Sequence, residues 1–305
     1  MKIFSQNEWD PLKTVVVGSA TNANWPINDP VFAEEKNKTT WTETAVPSGA
    51  VPEWIVEKTN QELDILSDTL YNLGVEVWRP DPIDFVTRDG MYNYCPRDRL
   101  LIADDVVVDP AMMYPCREME IEELNFVCQS ASRTVRMPRN QGMVMDAANV
   151  CRLGDDWLFL RSASGNDAAV NWLREQFPNK NIEVCDFYSG VHIDSTVVPL
   201  QEGLVLLNGS RVNEENIPNC LKSWERIYVN HMEERDFYQY PFASTWIGMN
   251  CLVVKPGLVI MDRMQTMLIN VLTNRGIEVI PLELTHSRTL GGGFHCVTLD
   301  IHRES

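Results

Sequence analysis

A short apolar strand, a tight turn and a second apolar strand recur at four places in this 305-residue chain. The turns contain glycine, aspartate or proline, the residues that hairpin turns prefer. The predicted hairpins are 99–108, 150–160, 196–207 and 252–261. Two short strands cannot bury their own apolar faces, so each hairpin must pack against further elements.

Helices and single strands follow several hairpins. The spacing of apolar residues predicts a helix over 168–177 and another over 265–275. Each of these helices leads into a short predicted strand, over 182–185 and 277–282 respectively. The resulting unit is strand, strand, helix, strand.

A similar arrangement begins near the N-terminus. A strand over 12–17 precedes a long helix over 58–73, Gly74 suits the C-cap, and a strand over 75–78 follows. The unit returns at roughly 50-residue intervals, a spacing typical of repeat architectures. The pattern favours units stacked around a common axis and, equally, an ordinary α+β protein whose hairpins are unrelated.

The composition excludes several classes of function. The net charge of −17 disfavours nucleic acid as a partner, because an acidic surface repels phosphate backbones. No segment reaches the roughly 20 apolar residues of a membrane span, and residues 1–10 have no apolar signal core. We therefore expect a cytoplasmic protein without a membrane partner. No linker interrupts residues 1–305, which predicts a single domain, and residues 22–52 are the best candidate for a mobile segment.

Eight cysteines are scattered along the chain without a Cys-x-x-Cys pair, so neither a disulfide framework nor a zinc site is indicated. One cysteine stands out. Cys296 follows three consecutive glycines, Gly291 to Gly293, which suit a sharp bend or a close approach of the backbone to a ligand. Such a turn would present the sulfur to a pocket before a strand over 297–301. The alternative is a glycine hinge beside a buried, inert cysteine.

A thiolate needs a partner that lowers its pKa or takes its proton. Of the five histidines, His192 is the best candidate, because Asp194 lies two residues away and would share its face in a strand. His295 adjoins Cys296 and would point to the opposite face. The alternative for His192 is a structural histidine beside a solvated acid.

Two further acids are candidates for the same site. Asp146 follows the apolar residues 143–145, where it suits either an N-cap or the orientation of a histidine. Asp98 lies between Arg97 and Arg99 at a predicted strand start, and its alternative is a surface ion pair of little energetic value.

Together these pieces resemble the glycine amidinotransferase family, which includes the inosamine amidinotransferases. The resemblance covers most of the chain and follows the family's order. The segments that carry it are Arg79–Asp84, Pro96–Asp98, Asp146–Ala148, His192–Thr196, Ser244–Asn250 and Leu290–Cys296.

The resemblance implies an α/β fold: a five-bladed, pseudosymmetric α/β-propeller (pentein) of repeated strand-strand-helix-strand units. It also implies roles for seven residues. Cys296 matches the nucleophile, His192 the general acid/base and Asp146 its orienting carboxylate. Asp98 and Asp194 match the acids that hold the guanidinium, and Arg211 and Ser244 match the residues that hold the α-carboxylate of arginine. The family needs no metal or cofactor, and some of its members are homodimers.

The implied substrates are arginine and an amine acceptor, with glycine expected first, giving guanidinoacetate and ornithine. Residues 189–191, just before His192, depart from the pattern of the glycine-using enzymes and leave the acceptor open. One alternative is an arginine hydrolase of the deiminase kind, which makes citrulline. A second alternative is a non-catalytic pentein that binds a macromolecule, as ribosome-binding members of the fold do.

Overall fold

The computed structural model describes residues 1–38 and 45–304, with the side chains of 35–38 left aside. Within these residues the chain is an α/β protein of short strands and helices. The strands are β1 Leu12–Val17, β2 Asn24–Trp25, β3 Gly49–Ala50, β4 Glu76–Trp78, β5 Leu101–Ala103, β6 Val106–Asp109, β7 Arg133–Arg136, β8 Val150–Leu153, β9 Asp156–Leu160, β10 Asn181–Cys185, β11 Val197–Gln201, β12 Leu204–Asn208, β13 Glu225–Val229, β14 Leu252–Lys255, β15 Leu258–Asp262, β16 Glu278–Leu282 and β17 Thr298–Arg303.

The helices connect the strands. The α-helices are α1 Pro30–Lys38, α2 Glu53–Asn72, α3 Pro96–Arg99, α4 Asn125–Ser130, α5 Asp167–Gln176, α6 Thr266–Thr273 and α7 Ser287–Leu290. Four 3₁₀ helices lie at Pro115–Leu124, Ala147–Asn149, Asn219–Leu221 and Thr245–Met249. None of the helices in the described part of the chain is long and apolar enough to cross a bilayer.

Five three-stranded sheets share one topology, in which an antiparallel pair of strands is extended by a third, parallel strand. Four of them follow the chain order: β5-β6-β7, β8-β9-β10, β11-β12-β13 and β14-β15-β16. The four predicted hairpins are confirmed, and a helix leads to the third strand in the units that contain α5 and α6, as predicted, whereas only a short 3₁₀ helix lies between β12 and β13. β2 and β3 form a separate two-stranded sheet.

The fifth sheet unites the two ends of the chain. β17 pairs antiparallel with β1, with Val17 opposite Thr298, and β1 pairs in parallel with β4. The C-terminal strand therefore completes the unit that begins at β1. The sequence predicted the strands but not this pairing, because nothing local to either strand specifies a partner so distant along the chain.

Some predicted boundaries need correction. The helix predicted over 58–73 begins at Glu53, directly after Pro52, and ends at Asn72; its C-cap is Leu73, and the predicted C-cap Gly74 follows with φ +82°. The strand predicted over 297–301 is present as β17, with bounds at Thr298 and Arg303. The apolar residues 143–145 form only an isolated bridge at Met145. The segment predicted to be mobile contains β2, α1 and β3, and its residues 39–44 lie outside the described part.

A buried ion network ties the N-terminal segment to α3, β8 and β17. Asp300 accepts hydrogen bonds from Arg97, from Arg152 at 2.8 Å and from Arg303 at 2.8 Å. Glu8 forms a second bridge to Arg152 at 2.8 Å. Buried charges are tolerated only when they are paired and hydrogen-bonded, so this network fixes the relative positions of the segments that it joins.

Candidate active site

The glycine-rich turn places Cys296 where other segments converge. The turn follows α7, and Cys296 lies in a second turn just before β17. A Cβ atom on Gly292 would come within 2.4 Å of the Cys95 sulfur, and one on Gly293 within 2.7 Å of the Asn250 Cβ. The predicted reason for these glycines, a close approach of the backbone, therefore holds for contacts within the protein.

The Cys296 thiol is buried among acidic groups. Its Sγ lies 3.2 Å from Asp194 Oδ2, and its backbone N–H donates to Asn250 Oδ1 at 3.0 Å. Hydrogen bonding to Cys95, burial and the charge of Asp194 together raise the pKa of the thiol well above its usual range. Without a ligand the sulfur is therefore protonated, and a nearby cation would favour the thiolate.

The His192 imidazole lies between two carboxylates. Its Nε2 is 3.0 Å from Asp146 Oδ2, and its Nδ1 is 3.4 Å from Asp98 Oδ1. Burial alone would lower the pKa of His192, but the charges of Asp98 and Asp146 and the hydrogen bond to Asp146 outweigh it and raise the pKa to about 9. The ring is thus an imidazolium at neutral pH and can give up a proton.

Asp146 contacts this histidine. It occupies the N-cap position of the 3₁₀ helix Ala147–Asn149 without capping it through its side chain. Its Oδ1 accepts the Met113 backbone N–H at 2.9 Å, which leaves Oδ2 for His192. Of the two sequence interpretations of Asp146, the structure therefore supports contact with a histidine.

Asp98 is buried on α3, so the interpretation of a surface ion pair is wrong. Its neighbours Arg97 and Arg99 pair with other acids, and its Oδ2 instead accepts from Arg117 Nη1 at 2.9 Å. Burial raises the pKa of the Asp98 carboxyl against the attraction of His192 and Arg117. Within residues 1–38 and 45–304, the buried Asp98 Oδ1 accepts no hydrogen bond of good geometry.

Asp194 contacts different partners from those predicted. Residues 192–196 form a turn before β11 rather than a strand, so the expected shared face of His192 and Asp194 does not exist. Asp194 Oδ2 lies 2.9 Å from His295 Nδ1 and also meets the Cys296 thiol. Burial would raise the pKa of Asp194, but the hydrogen bond and charge of His295 hold the pKa at about 2.

His295 was expected to point away from the site, and that expectation is wrong. Because residues 294–297 form a turn, the side chains of His295 and Cys296 both reach Asp194. The second ring nitrogen of His295 lies 3.2 Å from Glu8 Oε2. An imidazole that donates to two carboxylates must carry both N–H groups, so the His295 ring is a positively charged imidazolium.

Arg211 and Ser244 line the same cavity as Cys296, His192 and Asp194. The cavity measures about 250 Å³. Arg211 donates to Thr196 Oγ1 at 2.7 Å, and its guanidinium carbon lies 3.8 Å from the centre of the Tyr188 ring. Within the described residues Arg211 has no carboxylate partner within ion-pair distance, so its charge faces the cavity without an acidic neighbour.

The structure therefore brings the seven predicted residues to one region. Five of them line this cavity, and Asp98 and Asp146 contact His192 from the adjoining one. Sequence reasoning missed Glu8, Cys95, Tyr188 and Asn250 and dismissed His295. No local signal marks the first three, whereas Asn250 belongs to the segment Ser244–Asn250 that carries the resemblance.

The arrangement suits a planar cation beside a sulfur nucleophile. Carboxylates recognise a guanidinium well because it is always charged and rich in N–H donors. The protonated His192 can supply a proton to a leaving group. Among the described residues, no group of three or more His, Cys, Asp or Glu side chains could hold a metal ion.

Comparison with known proteins agrees with this chemistry, although no protein-family model matches the chain. The chain is 41% identical to inosamine-phosphate amidinotransferase 1 of Streptomyces griseus, over 97% of this chain and 96% of the relative. It is 28% identical to the mitochondrial glycine amidinotransferase of Gallus gallus, over 99% of this chain and 83% of the relative.

Solved structures give the same picture. The structure of the Streptomyces griseus inosamine-phosphate amidinotransferase matches with a TM-score of 0.92 at 38% identity, over 99% and 97% of the two chains. An amidinotransferase of saxitoxin biosynthesis from Microseira wollei gives 0.89 at 25%, over 99% and 98%. A dimethylarginine dimethylaminohydrolase shares the fold alone, with 0.67 at 14% identity, over 94% and 99%.

Proposed function

Because this chain belongs to the amidinotransferase family that includes the inosamine-phosphate and glycine amidinotransferases, we propose that it transfers the amidino group of L-arginine through an amidino-Cys296 intermediate. The observation that carries this proposal is the shared cavity of Cys296 and His192, bordered by the carboxylates of Asp98, Asp146 and Asp194. A thiol and an imidazolium among acids are the groups that covalent attack on a guanidinium needs.

Arginine binds with its guanidinium between Asp98 and Asp194. Its N–H groups donate to Asp98 Oδ1 and to Asp194 Oδ1, the Asp194 oxygen that does not contact His295. The α-carboxylate of arginine lies against Arg211 and Ser244 at the other end of the cavity. The distribution of charge supports this orientation, because the cation meets acids and the anion meets an arginine without a carboxylate partner among the described residues.

The reaction proceeds in two half-reactions. The bound guanidinium favours ionisation of the Cys296 thiol, whose proton passes to solvent, and the thiolate attacks the guanidinium carbon. His192 then gives its proton to the departing nitrogen, the carbon–nitrogen bond breaks, and ornithine leaves. The amidino group remains on sulfur. An acceptor amine enters, attacks the same carbon and gives a proton to His192, and the thiolate of Cys296 departs.

The acceptor is the part of the reaction for which the relatives differ. The relative at 41% identity is named for inosamine phosphate, whereas the relative named for glycine is 28% identical. We propose an amine of the aminocyclitol kind, possessing a ring, as the leading acceptor. Glycine, expected first from the sequence, takes second place, in keeping with the departure at residues 189–191.

The organisation of the chain follows from the same family. The five three-stranded sheets are proposed to be the blades of a propeller, and residues 1–305 to form one domain. Homodimerisation is proposed by analogy, and size-exclusion chromatography with light scattering would test it.

The proposed function is tested by product analysis. Purified protein is incubated with L-arginine, with and without a panel of amines, and ornithine and citrulline are quantified. We expect ornithine release that depends on one class of amine, with parallel double-reciprocal plots as the kinetic mark of the two half-reactions. Citrulline formed without any amine would favour the hydrolase alternative, and no turnover of arginine would contradict the proposal.

A further inference from the structure

A second cavity of about 250 Å³ adjoins the one that contains Cys296. The two cavities share His192, Val191 and Phe242 on their walls. On one side the second cavity is lined by Asp98 and Asp146, which contact His192, and by Arg117, which pairs with Asp98. A molecule in this cavity therefore reaches the proposed acid/base through a cavity that Arg211 does not line.

The other side of the second cavity is a wall of aromatic rings, formed by Phe32, Tyr92, Tyr114, Tyr240 and Phe242. We call these five residues the aromatic wall. A wall of this kind provides a broad apolar surface whose ring faces attract the polarised C–H groups and cationic heads of a ligand.

Four of the five rings of the aromatic wall, all except Tyr92, are packed against one another. Phe32, from α1, stacks on Phe242 with ring centres 6.1 Å apart and planes inclined by 19°. Trp25 stacks on Phe242 at 6.0 Å, and Tyr114 meets Phe32 edge to face at 5.5 Å. Phe32 is 4% exposed. The wall is therefore a rigid, preorganised surface, which lowers the entropic cost of binding.

The charged groups on one side of the second cavity and the aromatic wall on the other favour some amines over others. An amine nitrogen that gives its proton to His192 from this cavity must rest its carbon skeleton on the aromatic wall. Glycine has no carbon skeleton beyond its carboxylate, so it gains nothing from the ring faces, and a carboxylate placed against them loses solvation. A ring that bears an amine presents the apolar face that the wall can cover.

We propose that this second cavity is the acceptor site, and that Phe32 and Phe242 select an amine carried on a carbon ring over glycine. The inference rests on the proposed amidinotransferase function and goes further by assigning the acceptor to named residues. It makes the aromatic wall chiefly a determinant of the second half-reaction, because Phe242 is the one ring of the five that also lines the first cavity.

The test separates the two half-reactions. Arginine alone is mixed with the enzyme, and formation of the amidino adduct on Cys296 is followed by intact-protein mass spectrometry. Excess arginine is then removed, and consumption of the adduct is followed with an aminocyclitol, its phosphate ester, cyclohexylamine, glycine or L-lysine. The variants are Phe32→Leu and Phe242→Leu, which retain apolar volume but lose the ring face. Phe126→Leu, the same change on α4 against Trp78, is the matched control.

We expect both variants to lower kcat/KM for ring amines by roughly tenfold more than they lower adduct formation or transfer to glycine, since an aromatic contact contributes about that factor. Phe126→Leu should change neither step. Equal losses for ring amines and glycine, or unchanged transfer in correctly folded variants, would overturn the inference. Wild-type protein that forms no adduct at all would overturn the proposed function as well, and the two failures are thereby distinguished.

Discussion

Replacing Asp146 with asparagine tests the proposed acid/base unit through the pKa of His192. The change keeps the size of the side chain, and the amide oxygen can still accept the Met113 N–H. It removes the negative charge that lies 3.0 Å from His192 Nε2. The account predicts that the imidazole becomes both less basic and less well oriented.

The magnitude follows from the position of His192 among carboxylates. Its pKa is raised from 6.5 to about 9, which is about 2.5 units and corresponds to roughly 3 kcal/mol at about 1.4 kcal/mol per unit. Asp98, Asp146 and Asp194 share this effect against the opposing influence of burial. Asp146 acts through both its charge and its hydrogen bond, so the pKa of His192 should fall by on the order of one unit, or about 1.4 kcal/mol, in Asp146→Asn.

The assay is the pH dependence of kcat/KM for arginine, which reports the ionisations of the free enzyme. Because His192 must be protonated to release ornithine, activity should decline at alkaline pH with a midpoint near the pKa of His192. In Asp146→Asn this midpoint should move about one unit towards lower pH, and the maximal rate should fall on the order of a hundredfold as orientation is lost. The control is Asp68→Asn, the same change at an exposed site on α2.

The pH dependence of the free energy of unfolding checks the direction of this pKa change independently. A group whose pKa is higher in the folded state stabilises the protein below its unfolded pKa, and this contribution disappears as pH rises through the folded pKa. The free energy of unfolding should therefore differ between wild type and Asp146→Asn by about 1 kcal/mol near pH 6 and converge by about pH 10. A reduced rate with an unmoved alkaline midpoint, and a stability difference independent of pH, would refute the electrostatic reasoning.

Three further changes address the groups around the nucleophile. His295→Gln removes the cation that lies between Asp194 and Glu8. It should raise KM for arginine about tenfold more than it lowers kcat, and equal effects on KM and kcat would contradict the role of His295 in fixing Asp194. Asn250→Ala leaves the backbone N–H of Cys296 without its acceptor, whereas the N–H of His295 keeps the Asn250 backbone carbonyl at 3.3 Å. It should lower the urea-derived free energy of unfolding by about 1–3 kcal/mol, and a loss well below 1 kcal/mol would mean that another acceptor replaces the amide oxygen. Gly292→Ala would place a Cβ 2.4 Å from the Cys95 sulfur. It should slow adduct formation strongly and lower the free energy of unfolding by about 1–3 kcal/mol, and unchanged adduct formation would show that the turn is not tightly constrained.

The features of the fold that the sequence predicted are those encoded by local chemistry. The hairpins were predictable because their turns carry glycine, aspartate or proline between apolar runs. The third strands β7 and β13 were not predicted, since the crossovers that precede them contain 3₁₀ turns in place of a long amphipathic helix. The pairing of β17 with β1 joins residues at opposite ends of the chain, and a local pattern carries no information about such a partner.

The site illustrates the same division. The segments that carry the resemblance contain six of the seven candidate residues, all except Arg211, but the contacts among these residues depend on backbone conformation. Assuming a strand at 192–194 paired His192 with Asp194, whereas the turn found there directs His192 to Asp146 and Asp98. The same assumption at residue 295 hid the contact between His295 and Asp194. Glu8 reaches the site from the N-terminal segment, and no sequence pattern around residue 8 indicates its contact with His295.

The most direct measurement is intact-protein mass spectrometry of the enzyme quenched during turnover of arginine without an acceptor amine. The account predicts a mass increase of one amidino group, mapped by peptide analysis to Cys296, that disappears when a competent amine is added. The adduct should be absent from Cys296→Ala and retained in Cys220→Ala, in which a cysteine outside both cavities is replaced. Ornithine production by Cys296→Ala, or an amidino group found on any other residue, would contradict the account.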